Sequence, residues 1–356
     1  MMPVGHEPLI GLIGLPMVGK TTLFNLLSGQ HPDHVSHTGG ETRVVHVFDV
    51  RVEKLSQMYN PKKTIFASLQ FTDTDGLDPK AGARERNRVF GQIQKVDALV
   101  WVIAQFDSLG LDASQQVEDI HSEIILHDLE RVESQIQRLE SAKRKLEHAE
   151  QEALDFLHQL KLPLDEGVFP DVSEKSEEFF RALSSYGLFS LKPSMVVLNS
   201  DEKHFRKGVG LSEEWKKTIA QNHLGWMEIC GKYEMEMMDL EETERQEFLQ
   251  DLGIRESGIQ RLSKMVFDHV GLISFFTVGE DEVRSWTVHR GCSAREAAGR
   301  IHSDLERGFI RAEIMKTEEL LEQGSEKALK EKGLFKVVGK EHVVEDGDIL
   351  HIRFNV

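Results

Sequence analysis

An α/β fold built on a parallel sheet is predicted for this chain by three observations. Near the N-terminus, "LIGLIGLPMVGKTTLFNLLSG" passes from a short apolar strand through a glycine turn into a helix whose Leu23, Leu26 and Leu27 recur at helical spacing. Two later runs, "VDALVWVIAQFD" and "PSMVVLNSDE", are apolar segments of strand length, the form taken by strands buried on both faces. From "LISFFTVGEDEVRSWTV" onwards short alternating strands, one helix and the hairpin signal "EDGD" describe a small β-rich module.

The bulk properties bound the answer. At 356 residues the chain has room for two or three domains. With 40% hydrophobic and 29% charged residues it has the composition of a soluble globular protein. No apolar run reaches membrane-spanning length. The N-terminal stretch lacks a basic front end, so a signal peptide is not expected and cytoplasmic residence is the default. Two cysteines, Cys230 and Cys292, are too few for a disulfide framework and read as reduced core thiols. A net charge of −17 opposes non-specific attachment of the whole molecule to nucleic acid, so any RNA must be met by a local basic face.

Within the first strand–turn–helix, Gly14, Gly19, Lys20 and Thr21 fill the pattern G-x-x-x-x-G-K-[ST], with Met17, Val18 and Thr22 completing the turn. Glycines let backbone N–H groups curl around phosphates, the Lys20 ammonium reaches the β and γ oxygens and stabilises transition-state charge, and the Thr21 hydroxyl is suited to Mg²⁺. The helix N-terminus adds its positive dipole end. A chance glycine turn is the bland alternative, but strand, turn and helix stand in the required order. A second signal is Asp73-x-x-Gly76, closing the alternating run "TIFASLQFTDTDGL". Its carboxylate can hold Mg²⁺ and the Gly76 amide can sense a γ-phosphate. Alone, D-x-x-G is a common turn; downstream of a P-loop it gains meaning.

At the end of the later strand stand Asn199, Ser200 and Glu202, where P-loop GTPases carry Asn-Lys-x-Asp. An Asp there accepts from guanine N1–H and its amine. The longer Glu202, with Ser200 in place of lysine, does not suit that clamp and shifts preference toward ATP. Its bland reading is a solvated loop acid.

These motifs, together with the long tail "DLGIRESGIQRL…GRIHSDLERGFIRAEI…EDGDILHIRFNV", resemble the YchF / Obg-like ATPases, a family of P-loop NTPases of the translation-factor class. The resemblance spans nearly the whole chain. It implies a P-loop NTPase parallel-sheet domain with an inserted α-helical coiled-coil hairpin and a C-terminal β-grasp-like TGS domain, ATP preferred over GTP, Mg²⁺, and association with a ribosome or RNA–protein assembly. The corresponding boundaries are 1–116 and 191–272 for the nucleotide-binding domain, 117–190 for the arm and 273–356 for the TGS domain. A monomer is expected.

The residues agree with an arm. From Val117 to Leu160 apolar residues mostly follow spacings of four and three, with Lys143 interrupting the seam. The turn "KLPLDEGVFPD" is read as reversing the chain, and "SEKSEEFFRALSSYGLF" as the returning helix; a heavily charged outer face leaves the tip available to a partner. Six arginines, Arg284, Arg290, Arg295, Arg300, Arg307 and Arg311, gather in the last third. They either share a phosphate-binding face or pair with neighbouring acids.

The chain also departs from the family. Met17 stands where relatives commonly have Asn, and the loop after Gly76 is not glycine-rich. Leu77 leaves no glutamine to orient water, as in the family, and "FDSLGLDASQQVEDIH" lacks the histidine that relatives offer instead. Slow intrinsic hydrolysis is therefore expected. Thr38 is read as the switch-loop Mg²⁺ ligand, although an ungapped alignment puts His37 there. A conventional GTPase and a non-catalytic, nucleotide-stabilised binding module are the alternatives.

Overall fold

The computed structural model describes residues 7–31, 39–110, 112–172, 175–208, 213–222 and 224–355. The chain opens with β1 (Leu9–Ile13), α1 (Lys20–Leu27), β2 (Thr42–Val47), α2 (Val50–Tyr59), β3 (Lys63–Ile65) and β4 (Ala67–Thr72). It continues through α3 (Ala83–Gln92), β5 (Ala98–Gln105), α4 (Ala113–Glu140), α5 (His148–Asp165), α6 (Glu177–Leu183), β6 (Ser194–Ser200), α7 (Glu202–Lys207), α8 (Glu213–Gln221), β7 (Gly225–Ile229) and α9 (Gly231–Met238). Next come α10 (Glu242–Asp251), α11 (Gly258–His269), β8 (Leu272–Thr277), β9 (Glu282–His289), α12 (Ala294–Ile301) and α13 (Ser303–Arg307). The last elements are β10 (Phe309–Lys316), α14 (Thr317–Gln323), α15 (Glu326–Glu331), β11 (Lys336–Val338) and β12 (Asp348–Phe354).

Packing divides the chain into two compact units, Pro8–Arg43 with Phe71–Ile259, and Val44–Gln70 with Gln260–Val356. The segment Val44–Gln70, which the sequence motifs bracket, thus groups with the C-terminal third.

The first sheet has the order β2-β4-β1-β5-β6-β7. β5 pairs in parallel with β1 and β6, and β6 with β7. All of β6 and all but the last residue of β5 are buried, which is why both read as unbroken apolar runs. The chain leaves β1, β4 and β6 at their carboxyl ends into the three polar motifs, the edge where open α/β sheets bind ligands.

The arm is a helical hairpin, but it reverses elsewhere than the sequence pattern indicated. α4 ends at Glu140 and α5 begins at His148, so the turn is 141–147, around Lys143. The stretch "KLPLD" belongs to α5, with Pro163 inside the helix. A proline inside a helix loses one backbone bond. Here Leu160 and Leu164, 2% and 1% exposed, bury their side chains against Val132, Ile136 and Phe179, and that packing carries the helix through. The lysine that broke the apolar seam was the true end-of-helix signal. A capping box between Glu147 and Glu150 starts α5.

In the second unit the strand order is β11-β10-β12-β8-β9-β3. β10 is antiparallel to β11 and β12, β12 is parallel to β8, β8 and β9 form an antiparallel pair, and β3 adds in parallel to β9. One face packs Ile273, Phe275 and Ala312 against Ala294 and Ala297 of α12. The other packs Phe276, Met315 and Ile349 against Val52 and Leu55 of α2 and Leu320 and Leu329 of α14 and α15. "EDGD" is not a hairpin turn: it leads into β12, whose neighbours are β10 and β8. Its Asp348 carboxylate accepts locally from Glu345 N at 2.9 Å, while Asp346 accepts from Ser274 N at 2.9 Å and from Arg51 at 2.7 Å, two long-range bonds that hold the turn.

Candidate nucleotide site

The loop between β1 and α1 is shaped by its own backbone needs. Gly19 caps α1 at φ 93°, and a Cβ there would lie 2.3 Å from Asn199 Nδ2, so only glycine fits. Met17 also has a left-handed backbone, φ 64°, with its side chain 79% exposed. A non-glycine residue in that region is strained by about 1 kcal/mol. The Lys20 ammonium lies across the loop, donating to Gly14 O at 3.1 Å and Leu15 O at 2.9 Å. Lys20 is 6% exposed. Burial pushes its ammonium down to about 8, and the Asp73 and Asp75 carboxylates oppose the shift.

The end of β4 meets this loop. Thr21 Oγ1 donates to Asp73 Oδ2 at 2.7 Å, and Thr74 Oγ1 donates to Leu12 O at 2.6 Å. Gly76 lies against Pro16: a Cβ there would come within 2.7 Å of Pro16 Cα. Leu77 N donates to Gly14 O at 2.9 Å, and the Leu77 side chain is 1% exposed. Asp75 accepts from Gln92 Nε2 at 2.6 Å and pairs with Arg88 at 2.8 Å, so the loop is tied to α3. From α3, Arg86 reaches Glu130 at 2.5 Å and Glu123 at 3.6 Å, both on α4.

Asn199 is 3% exposed and spends both ends of its amide on the chain: Nδ2 donates to Val18 O at 3.1 Å, and Oδ1 accepts from Gly231 N at 3.0 Å. It therefore joins the phosphate loop to the β7–α9 corner. Ser200 Oγ donates to Glu228 Oε1 at 2.6 Å. Glu202 opens α7 behind the N-cap Asp201, and its carboxylate pairs with the Lys232 ammonium, which holds it below the usual carboxylate range. Cys230, buried beside this corner, has its thiol pushed up to about 11 by burial, as expected of an unreactive core thiol.

Gly14, Met17, Val18, Gly19, Lys20 and Thr21 thus stand in one loop with Asp73, Gly76 and Asn199 in direct contact, and Thr22 follows on the first turn of α1. Glu202 pairs instead with Lys232, the neighbour of the Gly231 that Asn199 holds. Thr38 and His37 lie outside the described residues. Asp75, inside the recognised D-x-x-G motif, has no signal of its own in the sequence. Lys232 lies in the "CGK" that follows β7, and only the spatial approach of β6 to the β7–α9 corner pairs it with Glu202. Among the described residues, Asp107, Asp201 and His204 alone approach a metal-like triple, but Lys203 pairs with Asp107 at 2.5 Å and Asp201 caps α7, so these acids are already engaged.

The fold and the loop geometry define the class: a P-loop nucleotide-binding protein with a helical arm. A family model described as "50S ribosome-binding GTPase" matches residues 9–144, and one for the C-terminal part of YchF GTPases, described as a protein of unknown function, matches residues 272–355. The chain is 37% identical to "Ribosome-binding ATPase YchF" of Bacillus subtilis, covering 97% of this chain and 99% of that one. It is 33% identical to the protein of the same name from Haemophilus influenzae, with the same coverage. The solved YchF GTPase of Schizosaccharomyces pombe superposes with a TM-score of 0.84 at 27% identity, covering 99% of both chains. The chain belongs to the YchF family.

Proposed function

We propose that the chain is a slow nucleoside triphosphatase that binds MgATP at the β1–α1 loop and couples nucleotide state to ribosome association. The observation that carries the reading is the convergence of Lys20, the Thr21–Asp73 pair at 2.7 Å and Asn199 on one loop at the carboxyl edge of the sheet. Lys20 is held at the loop by weak acceptors, two peptide carbonyls, which phosphate oxygens would replace. Thr21 and Asp73 supply a hydroxyl and a carboxylate at one point, a donor set that fits Mg²⁺. When bound, the metal would neutralise β- and γ-phosphate charge. Gly76, pressed on Pro16 of the β1–α1 loop, is the amide we assign to sensing the γ-phosphate. Leu77 is apolar and buried, so that position supplies no group to orient water, in keeping with slow turnover. We also assign the cytoplasm, a monomer, and the TGS role for the C-terminal module to this reading.

The names of relatives divide between ATPase and GTPase. The Glu202–Lys232 pair favours ATP: a carboxylate already shared with an ammonium is a poor bidentate acceptor for guanine, while the pair offers adenine both an acceptor and a donor. Calorimetric titration with ATP and GTP in Mg²⁺ tests this, with Mg²⁺-dependent phosphate release as the second readout. Tighter ATP binding and slow release, both lost in Lys20→Ala, are expected. Tighter GTP binding would establish the conventional GTPase; binding without release would establish the non-catalytic module.

A further inference from the structure

The hairpin turn inverts the charge of the arm that carries it. Over 113–137 and 146–165 the arm has eleven acidic and two basic residues, Arg131 and Lys161. Between them, residues 138–145 carry four basic residues, Arg138, Lys143, Arg144 and Lys145, against Glu140 alone. The sequence pattern would have put the acidic "LDEG" at the tip. The structure puts "SAKRK" there, which changes the sign of any partner.

The tip is built so that part of this charge stays unspent. Arg144 is fixed by Glu150 at 2.5 Å, inside the capping box of α5. Lys143 and Lys145 are exposed, and among the described residues no ion pair involves them. No large apolar side chain is exposed at the turn: Leu146 packs on the arm's core with Leu139. A protein interface draws most of its affinity from such buried anchors, and here none is offered. Two exposed ammonium groups on either side of a fixed guanidinium in the sequence suit phosphate oxygens instead. The acidic shafts would repel a polyanion lying alongside them, which leaves contact by the end of the hairpin.

We infer that the turn at 138–145 is an RNA-backbone contact that meets phosphates through Lys143 and Lys145 without reading bases. It rests on the ribosome reading above and names the chemistry of that association. Fluorescence anisotropy of the full chain against a labelled RNA duplex of about 20 base pairs, with salt raised from about 50 to about 200 mM, tests it directly. Each phosphate contact steepens the log–log salt dependence by about 0.9, so wild type should lose about tenfold more affinity over that range than Lys143→Ala/Lys145→Ala. Lys143→Arg/Lys145→Arg should keep the wild-type slope, and circular dichroism should be unchanged in both variants. Equal slopes for wild type and the alanine variant, or no wild-type binding at the lower salt, overturn the inference. Sedimentation with ribosomes at the same salts separates the two readings. Wild type that holds the duplex through the tip but does not sediment refutes ribosome association alone. An alanine variant that loses ribosomes yet binds the duplex like wild type assigns the tip to a ribosomal protein and overturns the phosphate contact.

Discussion

In the proposed site Lys20 answers two opposed demands. Binding phosphates needs a desolvated cation, and desolvation destabilises that cation while the loop is empty. Its folded pKa of about 8 lies below the 10.5 of a free lysine, so between those values the unfolded chain binds more protons and stability rises with pH. Removing the charge should relieve the cost: Lys20→Met is expected to abolish nucleotide binding while stabilising the empty protein by about 1–3 kcal/mol, read by urea unfolding at neutral pH. Phosphates favour the protonated ammonium, so nucleotide affinity should be full below pH 8 and fall as pH rises through it. Calorimetry at about pH 7 and pH 9 checks this; equal affinities would mean that the Lys20 ammonium does not titrate in this range while the loop is empty. Asn199 makes a sharper case for structure. Both of its hydrogen bonds are buried, and Asn199→Ala would strand Val18 O and Gly231 N, costing about 2–3 kcal/mol in the same urea experiment as well as nucleotide affinity.

At the scale of elements, the arm has a core of its own in which Val132 and Leu157 are fully buried. Leu157→Ala should destabilise by about 3 kcal/mol, detected as faster amide exchange in α5 and the second half of α4. Pro163→Ala should act oppositely, restoring a helical donor inside α5 and raising the midpoint of that unfolding. The six C-terminal arginines look different once placed. Arg295 lies 4.0 Å from Glu306, Arg307 pairs with Asp304, Arg284 stacks over Trp286 at 3.9 Å, and Arg300 donates to Thr287 O at 3.2 Å. Four of the six are thus engaged within their own module, which weakens the reading of a common phosphate face there.

On the scale of the molecule, the C-terminal module does not end where its family match begins. Val52 and Leu55, in the segment Val44–Gln70, are buried against Phe276, Met315 and Ile349. Arg51 donates to Asp49 and to Asp346 across 295 residues of chain, and its carboxylate partners push its guanidinium pKa up despite burial. A fragment ending at residue 259 should therefore expose the apolar face of α2 and bind a hydrophobic dye or precipitate, even though every nucleotide motif is present in it. A fragment that stays soluble and dye-free would mean that this face finds other cover.

Local chemistry in the sequence was enough to determine the phosphate loop, the D-x-x-G turn, the buried strands that end in them and the helical character of the arm. Each of these depends on residues a few positions apart: glycines and a lysine within eight positions, or an apolar repeat along one helix. The tertiary structure alone decided the rest. It paired Glu202 with Lys232, joined Val18 to Gly231 through Asn199, and gave α2 to the C-terminal unit, because those contacts link residues that no local pattern connects. It also decided where the arm turns. A proline and a run of charges both mark a break, and only the burial of Leu160 and Leu164 against the rest of the hairpin shows that the helix passes through the first and stops at the second.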